Sequence, residues 1–147
     1  MVLADILLVD DNQIDWEIFQ EALRETAPTI RSHWVESGEE AIRFLRQEAE
    51  YAGMGPVKLV VLDLNMPGLD GFETLRKIRG TPQMSRVPVL LFSSTKSPRD
   101  IDKAYSLGAN AVFSKPYSLE RYVEKVRVMV QHWLQLVELP TPLRAER

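Results

Sequence analysis

Residues 59–71 read LVVLDLNMPGLDG, and this stretch decides the fold. Leu59 to Leu62 form an unbroken apolar run with no polar alternation, as expected of a strand covered by helices on both faces. The run stops at an aspartate, Asp63, and Pro67 with Gly71 shapes the turn that follows. Four similar runs lie at Asp5 to Val9, Ile30 to Val35, Val89 to Phe92 and Ala111 to Phe113. Between the runs the apolar spacing becomes helical, with Ile14, Ile18 and Ala22 on one stripe and Ala41, Ile42 and Leu45 on another. Helix starts are marked by Ser37 with Glu40 in a capping-box pattern, by the Ser97–Pro98 pair and by Ser118. Alternating strands and helices of this kind predict a doubly wound α/β fold, a (βα)5 parallel sheet with helices on both faces.

The chain has 147 residues, of which 45% are apolar, enough for one core. It has no cysteine and only two histidines, His33 and His132, so a metal would have to be held by oxygen. The amino terminus, MVLADILLVDDN, is interrupted by Asp5 and ends in carboxylates. It reads as neither a signal peptide nor a membrane span, and a cytoplasmic location is expected. A net charge of −3, with both signs interleaved, offers no basic field for nucleic acid. The glycines match neither nucleotide-binding loop spacing.

In open parallel sheets the functional groups gather beyond the carboxyl ends of the strands. Here the first strand ends in Asp10 and Asp11, the third in Asp63, the fourth in Ser93 and the fifth in Lys115. If the strands are adjacent, three carboxylates converge, and at an effective dielectric near 20 each pair roughly 4 Å apart repels by about 4 kcal/mol. A hard divalent cation relieves that repulsion, and Mg²⁺ suits a few carboxylates, a backbone carbonyl and retained waters. A carboxylate beside such a cation can attack a phosphoryl group. Asp63 is the candidate nucleophile, with the Asn65 carbonyl offered to the metal, Lys115 as a mobile charge for a phosphate oxygen and Ser93 as a hydroxyl able to meet it.

The segments LLVDDN, VVLDLNMPGLDG, LLFSSTKS and SLGANAVFSKP, in this order, resemble the receiver domain of bacterial response regulators over about Ala4 to Gln135. The resemblance implies a flavodoxin-like fold and a phosphoacceptor switch of a two-component system, phosphorylated by a partner histidine kinase with Mg²⁺. It makes Asp10 and Asp11 the acidic pair, Asp63 the phosphoacceptor, Asn65 a metal ligand through its carbonyl, Ser93 the hydroxyl switch residue and Lys115 the phosphate-binding lysine. It also implies a cis bond before Pro116. Such a domain is a regulatory protein that catalyses its own phosphorylation and dephosphorylation rather than a turnover enzyme.

Two departures from the family pattern stand out. The aromatic residue usual three positions before the lysine is replaced by Val112, and the neighbouring Phe113 should face the other way, into the core. At the carboxyl end, VQHWLQLVELPTP prolongs the last helix. This ending, without an output domain, is similar to the small response regulators paired with bacterial phytochromes, which implies such a kinase as partner. The expected division is a receiver domain over residues 1–136 and an extension over 137–147. The apolar stripe Leu119, Tyr122, Val123, Val126, Met129, Val130, Trp133 and Leu134, prolonged by Leu136, Val137 and Leu139, predicts a homodimer through the last helix, the fourth helix and the fifth strand. Trp16, Phe19 and Leu23 read as packing, Trp34 as core or half-buried sheet, and His132 as an exposed helix residue. Two other functions compete with the switch. A phosphatase of the haloacid-dehalogenase type needs an acid two positions after its nucleophile, where Asn65 stands. A pseudo-receiver acting only as an interaction module commonly loses part of the acidic set, which is kept here.

Overall fold

The computed structural model describes residues 4–66 and 68–141. Five parallel strands, β1 Ile6–Val9, β2 Ser32–Val35, β3 Leu59–Leu62, β4 Val89–Ser93 and β5 Ala111–Ser114, form one sheet in the order β2-β1-β3-β4-β5. The helices are α1 Gln13–Thr26, α2 Gly38–Leu45, α3 Gly71–Gly80, α4 Pro98–Ser106 and α5 Leu119–Val130. A six-residue π-helical segment, Gln131–Leu136, carries α5 onward. This is the expected (βα)5 flavodoxin-like arrangement, with the strand order reversing between β1 and β3.

Side-chain parity along the strands builds two cores. Leu7, Val9, Val60, Leu62, Val89 and Leu91 point to one face and meet Phe44 of α2, Leu75 and Ile78 of α3 and Ala104 of α4. Ile6, Leu8, Leu59, Val61, Leu90 and Phe92 point to the other and meet Phe19, Ala22 and Leu23 of α1 and Tyr122, Val126, Met129 and Val130 of α5. The three inner strands are buried throughout, which is why they read as unbroken apolar runs. The edge strands β2 and β5 are only half-buried, and β2 carries the mixed sequence SHWV. Val112 packs with the first core and Phe113 with the second, on opposite faces as expected.

Local signals set the helix starts. Ser37 and Ser118 accept the backbone N–H of Glu40 and Arg121 at 3.1 Å each. Asn12 accepts from Ile14 and Asp15 at the start of α1, and Asp70 from Glu73 at the start of α3. Ser97 precedes Pro98 as expected but makes no side-chain cap; Thr95 Oγ1 instead accepts the Ser97 N–H and donates to Asp100. On α1, Phe19, Ala22 and Leu23 are buried and Trp16 and Ile18 pack beside them as expected, but Ile14 departs from the expected stripe and is 64% exposed. Among the described residues the cis peptide bond is Gly55–Pro56, not the bond before Pro116. An X–Pro bond prefers trans by only about 0.5–1 kcal/mol, so no isomer is imposed by sequence alone.

Arg79, at the end of α3, is half-buried and donates to the carbonyls of Ser85, Val87 and Gly108 and to Asn110 Oδ1. It pins the approach to β4 and the approach to β5 at one point. At the same end of the sheet, Arg86 Nη2 donates to the Thr141 carbonyl at 2.9 Å, seating the chain after α5 against its own body beside Phe44, Pro56 and Met84.

Candidate functional site

The carboxyl ends of β1 and β3 lie side by side at the strand-order reversal, and the ladder runs one residue beyond each strand. Asp10 N donates to the Val35 carbonyl at 3.1 Å, Asp63 N to Val9 at 2.9 Å and Lys115 N to Ser93 at 2.8 Å. Backbone pairing thus delivers these three side chains to one place. Asp10, Asp11 and Asp63 each offer an oxygen within 4.8 Å of the others; Asp10 and Asp63 are buried and Asp11 is exposed. Lys115 Nζ lies 2.7 Å from Asp10 Oδ2, 3.0 Å from Asp15 Oδ2 and 3.4 Å from Asp63 Oδ2. Ser93 is fully buried at the end of β4, and its hydroxyl accepts from Asn65 Nδ2 and the Thr95 N–H, both at 3.4 Å. Asn65 N donates to Asp63 Oδ1 at 3.3 Å. All six residues singled out in the sequence, Asp10, Asp11, Asp63, Asn65, Ser93 and Lys115, therefore meet at one end of the sheet. Pro67, the turn residue, lies outside the described residues.

The electrostatics follow from burial. Burial pushes the Asp10 carboxyl up to about 6 although Lys115 pulls it down, and Asp63 is also raised, again chiefly by burial. Burial works to lower the Lys115 ammonium, but Asp10, Asp63 and Asp15 together hold it above its ordinary value. One lysine against four carboxylates leaves the cluster short of positive charge, and the donors are all hard oxygens. That donor set fits a divalent cation.

Three contributors are not among the site residues named from the sequence. Asp15 reaches Lys115 from the first turn of α1. Asn12 serves twice, capping α1 through Oδ1 and donating its N–H to Asp10 Oδ1 at 3.0 Å. Trp34, half-buried on β2, donates its indole N–H to the Asp10 carbonyl at 2.6 Å and stacks on Trp16. The spacing Asn12–Asp15, an N-cap followed three residues later by an acid, could have drawn attention to Asp15.

The loop after β3 is held from two sides. Gly68 adopts a φ of +76°, in the left-handed region favoured by glycine, and Leu69 N donates to Glu39 Oε1 of α2 at 2.9 Å. Gly71 opens α3 directly against the backbone of Asp63 and Leu64, and its N–H donates to the Leu64 carbonyl at 3.0 Å. No helix among the described residues is long and apolar enough to cross a membrane.

Comparison with known proteins agrees with this geometry. Residues 6–127 match the response regulator receiver domain model. Response regulator Rcp1 of Synechocystis sp. is 32% identical over 135 residues, 92% of each chain. The structure of the phosphorylated cyanobacterial phytochrome response regulator RcpA superposes with a TM-score of 0.89 at 35% identity, covering 95% of this chain and all of that one. The Mn²⁺-bound form of Rcp1 gives 0.86 at 32%, over 92% and 98% of the two chains. Response regulator RPA3017, in red light signaling of R. palustris, gives 0.86 at 30%, over 95% and 99%.

Proposed function

Given that this chain belongs to the response regulator receiver domain family, we propose that it is a two-component phosphoacceptor switch whose phosphorylated residue is Asp63. The convergence of Asp10, Asp11 and Asp63 with Ser93 and Lys115 at the strand-order reversal carries this reading. A carboxylate oxygen of Asp63 attacks the phosphorus of a phosphohistidine on a partner kinase. The new P–O bond replaces the P–N bond, whose electron pair stays on the imidazole. Mg²⁺ held by Asp10, Asp11, Asp63 and the Asn65 carbonyl would neutralise charge on the transferring oxygens. Lys115, already beside Asp63, supplies a fixed positive charge to the phosphoryl group, and Ser93 supplies a hydroxyl donor from the end of β4. Engagement of that hydroxyl pulls on the Ser94 to Arg99 loop, because Ser93 Oγ already holds Thr95 and Thr95 holds Asp100 at the start of α4. The acyl phosphate shifts a conformational equilibrium, and the domain catalyses its own phosphorylation and dephosphorylation.

The test is incubation with acetyl phosphate and Mg²⁺, followed by intact-mass measurement before and after hydroxylamine. Uptake of one phosphoryl group that hydroxylamine removes is the expected result. No uptake would return the chain to an interaction module, and steady turnover of small phosphate esters would make it a phosphatase.

A metal titration separates ligands from the phosphate contact. Asp11→Ala removes a charged donor, whereas Ser93→Ala removes only a hydroxyl, so the first should weaken Mg²⁺ binding on the order of tenfold or more and the second by less than about threefold. Calorimetric titration showing equal losses would contradict this ligand assignment.

The similarity to phytochrome response regulators supports a histidine kinase of the phytochrome class as partner. We further infer a homodimer built on α4, β5 and α5, with residues 137–147 as an extension of the receiver proper. Of the apolar stripe, Tyr122, Val126, Met129 and Val130 are spent on the core, but Leu119 and Leu136 are 63% and 74% exposed, and Tyr105, Tyr117 and Val128 also face outward. Each of these residues leaves half or more of its surface to solvent. Light scattering at micromolar concentration should give a dimer for the full chain and a monomer for a version ending at Gln131; a monomeric full-length protein, with or without phosphodonor, removes the proposal. Residues 142–147 of the extension lie outside the described residues.

A further inference from the structure

Asp10 is held at every polar atom. Its N–H donates to the Val35 carbonyl at 3.1 Å, its Oδ1 accepts from Asn12 N at 3.0 Å, its Oδ2 from Lys115 at 2.7 Å, and its carbonyl oxygen accepts the Trp34 indole N–H at 2.6 Å. Asp11 is in the opposite condition. It is exposed, and among the described residues no hydrogen bond restrains its carboxylate, although that carboxylate lies within 4.8 Å of both Asp10 and Asp63. The backbone that enters it is therefore the restraint that sets where this side chain starts.

That backbone is the planar peptide unit joining Asp10 to Asp11, and the oxygen of this unit is the one Trp34 holds. Fixing the oxygen restrains rotation of the plane, and with it the position of the Asp11 Cα and the direction of the N–Cα bond about which its side chain turns. The indole is itself braced. Trp34 sits opposite Leu8 in the β1–β2 pairing, and its ring stacks on Trp16 of α1 at a centroid distance of 6.0 Å and 19° between planes. Trp16 N in turn donates to the carbonyl of Asn12, the α1 cap that follows the acidic pair. Edge strand, acidic turn and first helix are closed into one ring of contacts around the Asp10–Asp11 peptide.

We propose that Trp34 is a positioning residue for the divalent cation, its indole N–H locking the Asp10–Asp11 peptide and so aiming the Asp11 carboxylate. The inference rests on the cation site of the proposed function. Trp34→Phe keeps a ring against Trp16 and removes the donor; Trp16→Phe alters the stack and keeps the donor. With Mg²⁺ alone as the ligand in calorimetric titration, the first should raise the dissociation constant about three- to tenfold and the second by less than about twofold, on the scale of one hydrogen bond.

A second measurement needs no variant to fold. In a ¹⁵N-labelled wild-type protein, Mg²⁺ should shift the Trp34 indole N–H resonance while that of Trp133, on the π-helical segment after α5, stays in place. Affinity unchanged in Trp34→Phe, equal losses in both variants, or a Trp34 resonance that does not move while the wild type binds Mg²⁺ each overturns the inference alone. Should Trp34→Phe not fold, the indole resonance decides. A wild type that binds no Mg²⁺ overturns the cation site and this inference with it.

Discussion

Replacing Asp63 with asparagine is expected to reduce phosphoryl uptake to below detection while the protein stays folded. The amide matches the carboxylate in shape and can still accept the Asn65 N–H through its oxygen, so the loop after β3 loses no backbone contact. It lacks the anionic oxygen that must form the P–O bond, and it removes one donor from the cation cluster. The stability change should be small because two terms oppose. The variant gives up the attraction of Lys115 at 3.4 Å, but it also removes a charge whose burial raises the Asp63 pKa and which Asp10 and Asp11 repel. A change of less than about 1 kcal/mol is expected from denaturant titration, in the stabilising direction because burial, which disfavours the charge, is the larger influence on Asp63. A hydroxylamine-sensitive mass gain in the variant at the wild-type rate would show that another carboxylate is the nucleophile.

The largest stability effect should come from Gly71→Ala. A Cβ there would stand 2.5 Å from the Asp63 carbonyl oxygen and 2.5 Å from Leu64 Cα, both backbone atoms that no rotamer change can clear. The first turn of α3 must therefore move away from the strand end, straining the Gly71–Leu64 hydrogen bond and the packing of Leu75 and Ile78. Overpacking of this kind costs about 1–3 kcal/mol. For a domain of this size that corresponds to a fall in midpoint of roughly 2–12 °C. Phosphoryl uptake should fall as well, because the displaced backbone is that of Asp63 itself. Gly80→Ala, at the far end of the same helix, meets nothing within 4 Å and should be neutral or slightly stabilising. Equal midpoints for the two variants by thermal unfolding would refute the close approach.

The inner strands and the strand-end residues were legible because two-sided burial writes itself as an unbroken apolar run, and the residue ending each run is the one the sheet exposes to chemistry. Helix faces were less so. Ile14 fits the spacing of a stripe with Ile18 and Ala22, yet it lies about 140° around the helix from Phe19 and turns outward. The contacts of Asp15 with Lys115 and of Trp34 with Asp10 join residues 100 and 24 positions apart. No local pattern encodes such distances; only the strand order brings them together. The last helix shows both outcomes, since its stripe is real but divides between residues buried on the sheet and residues left facing outward, and period alone does not say where one neighbour ends.

The separation of Lys115 from its carboxylates has a consequence during synthesis. The strands bearing Asp10 and Asp63 are adjacent in the sheet, and both have been translated by residue 63, while the lysine that faces Asp63 follows 52 residues later. At about 5–20 residues per second, the nascent chain carries these acids for roughly 3–10 s before their basic partner is made. Until then the two acids are free to stay solvated, and only a pairing of β1 with β3 ahead of β5 would bring them together with no basic partner. The order of synthesis thus leaves the charge balance of this strand end to the last strand made.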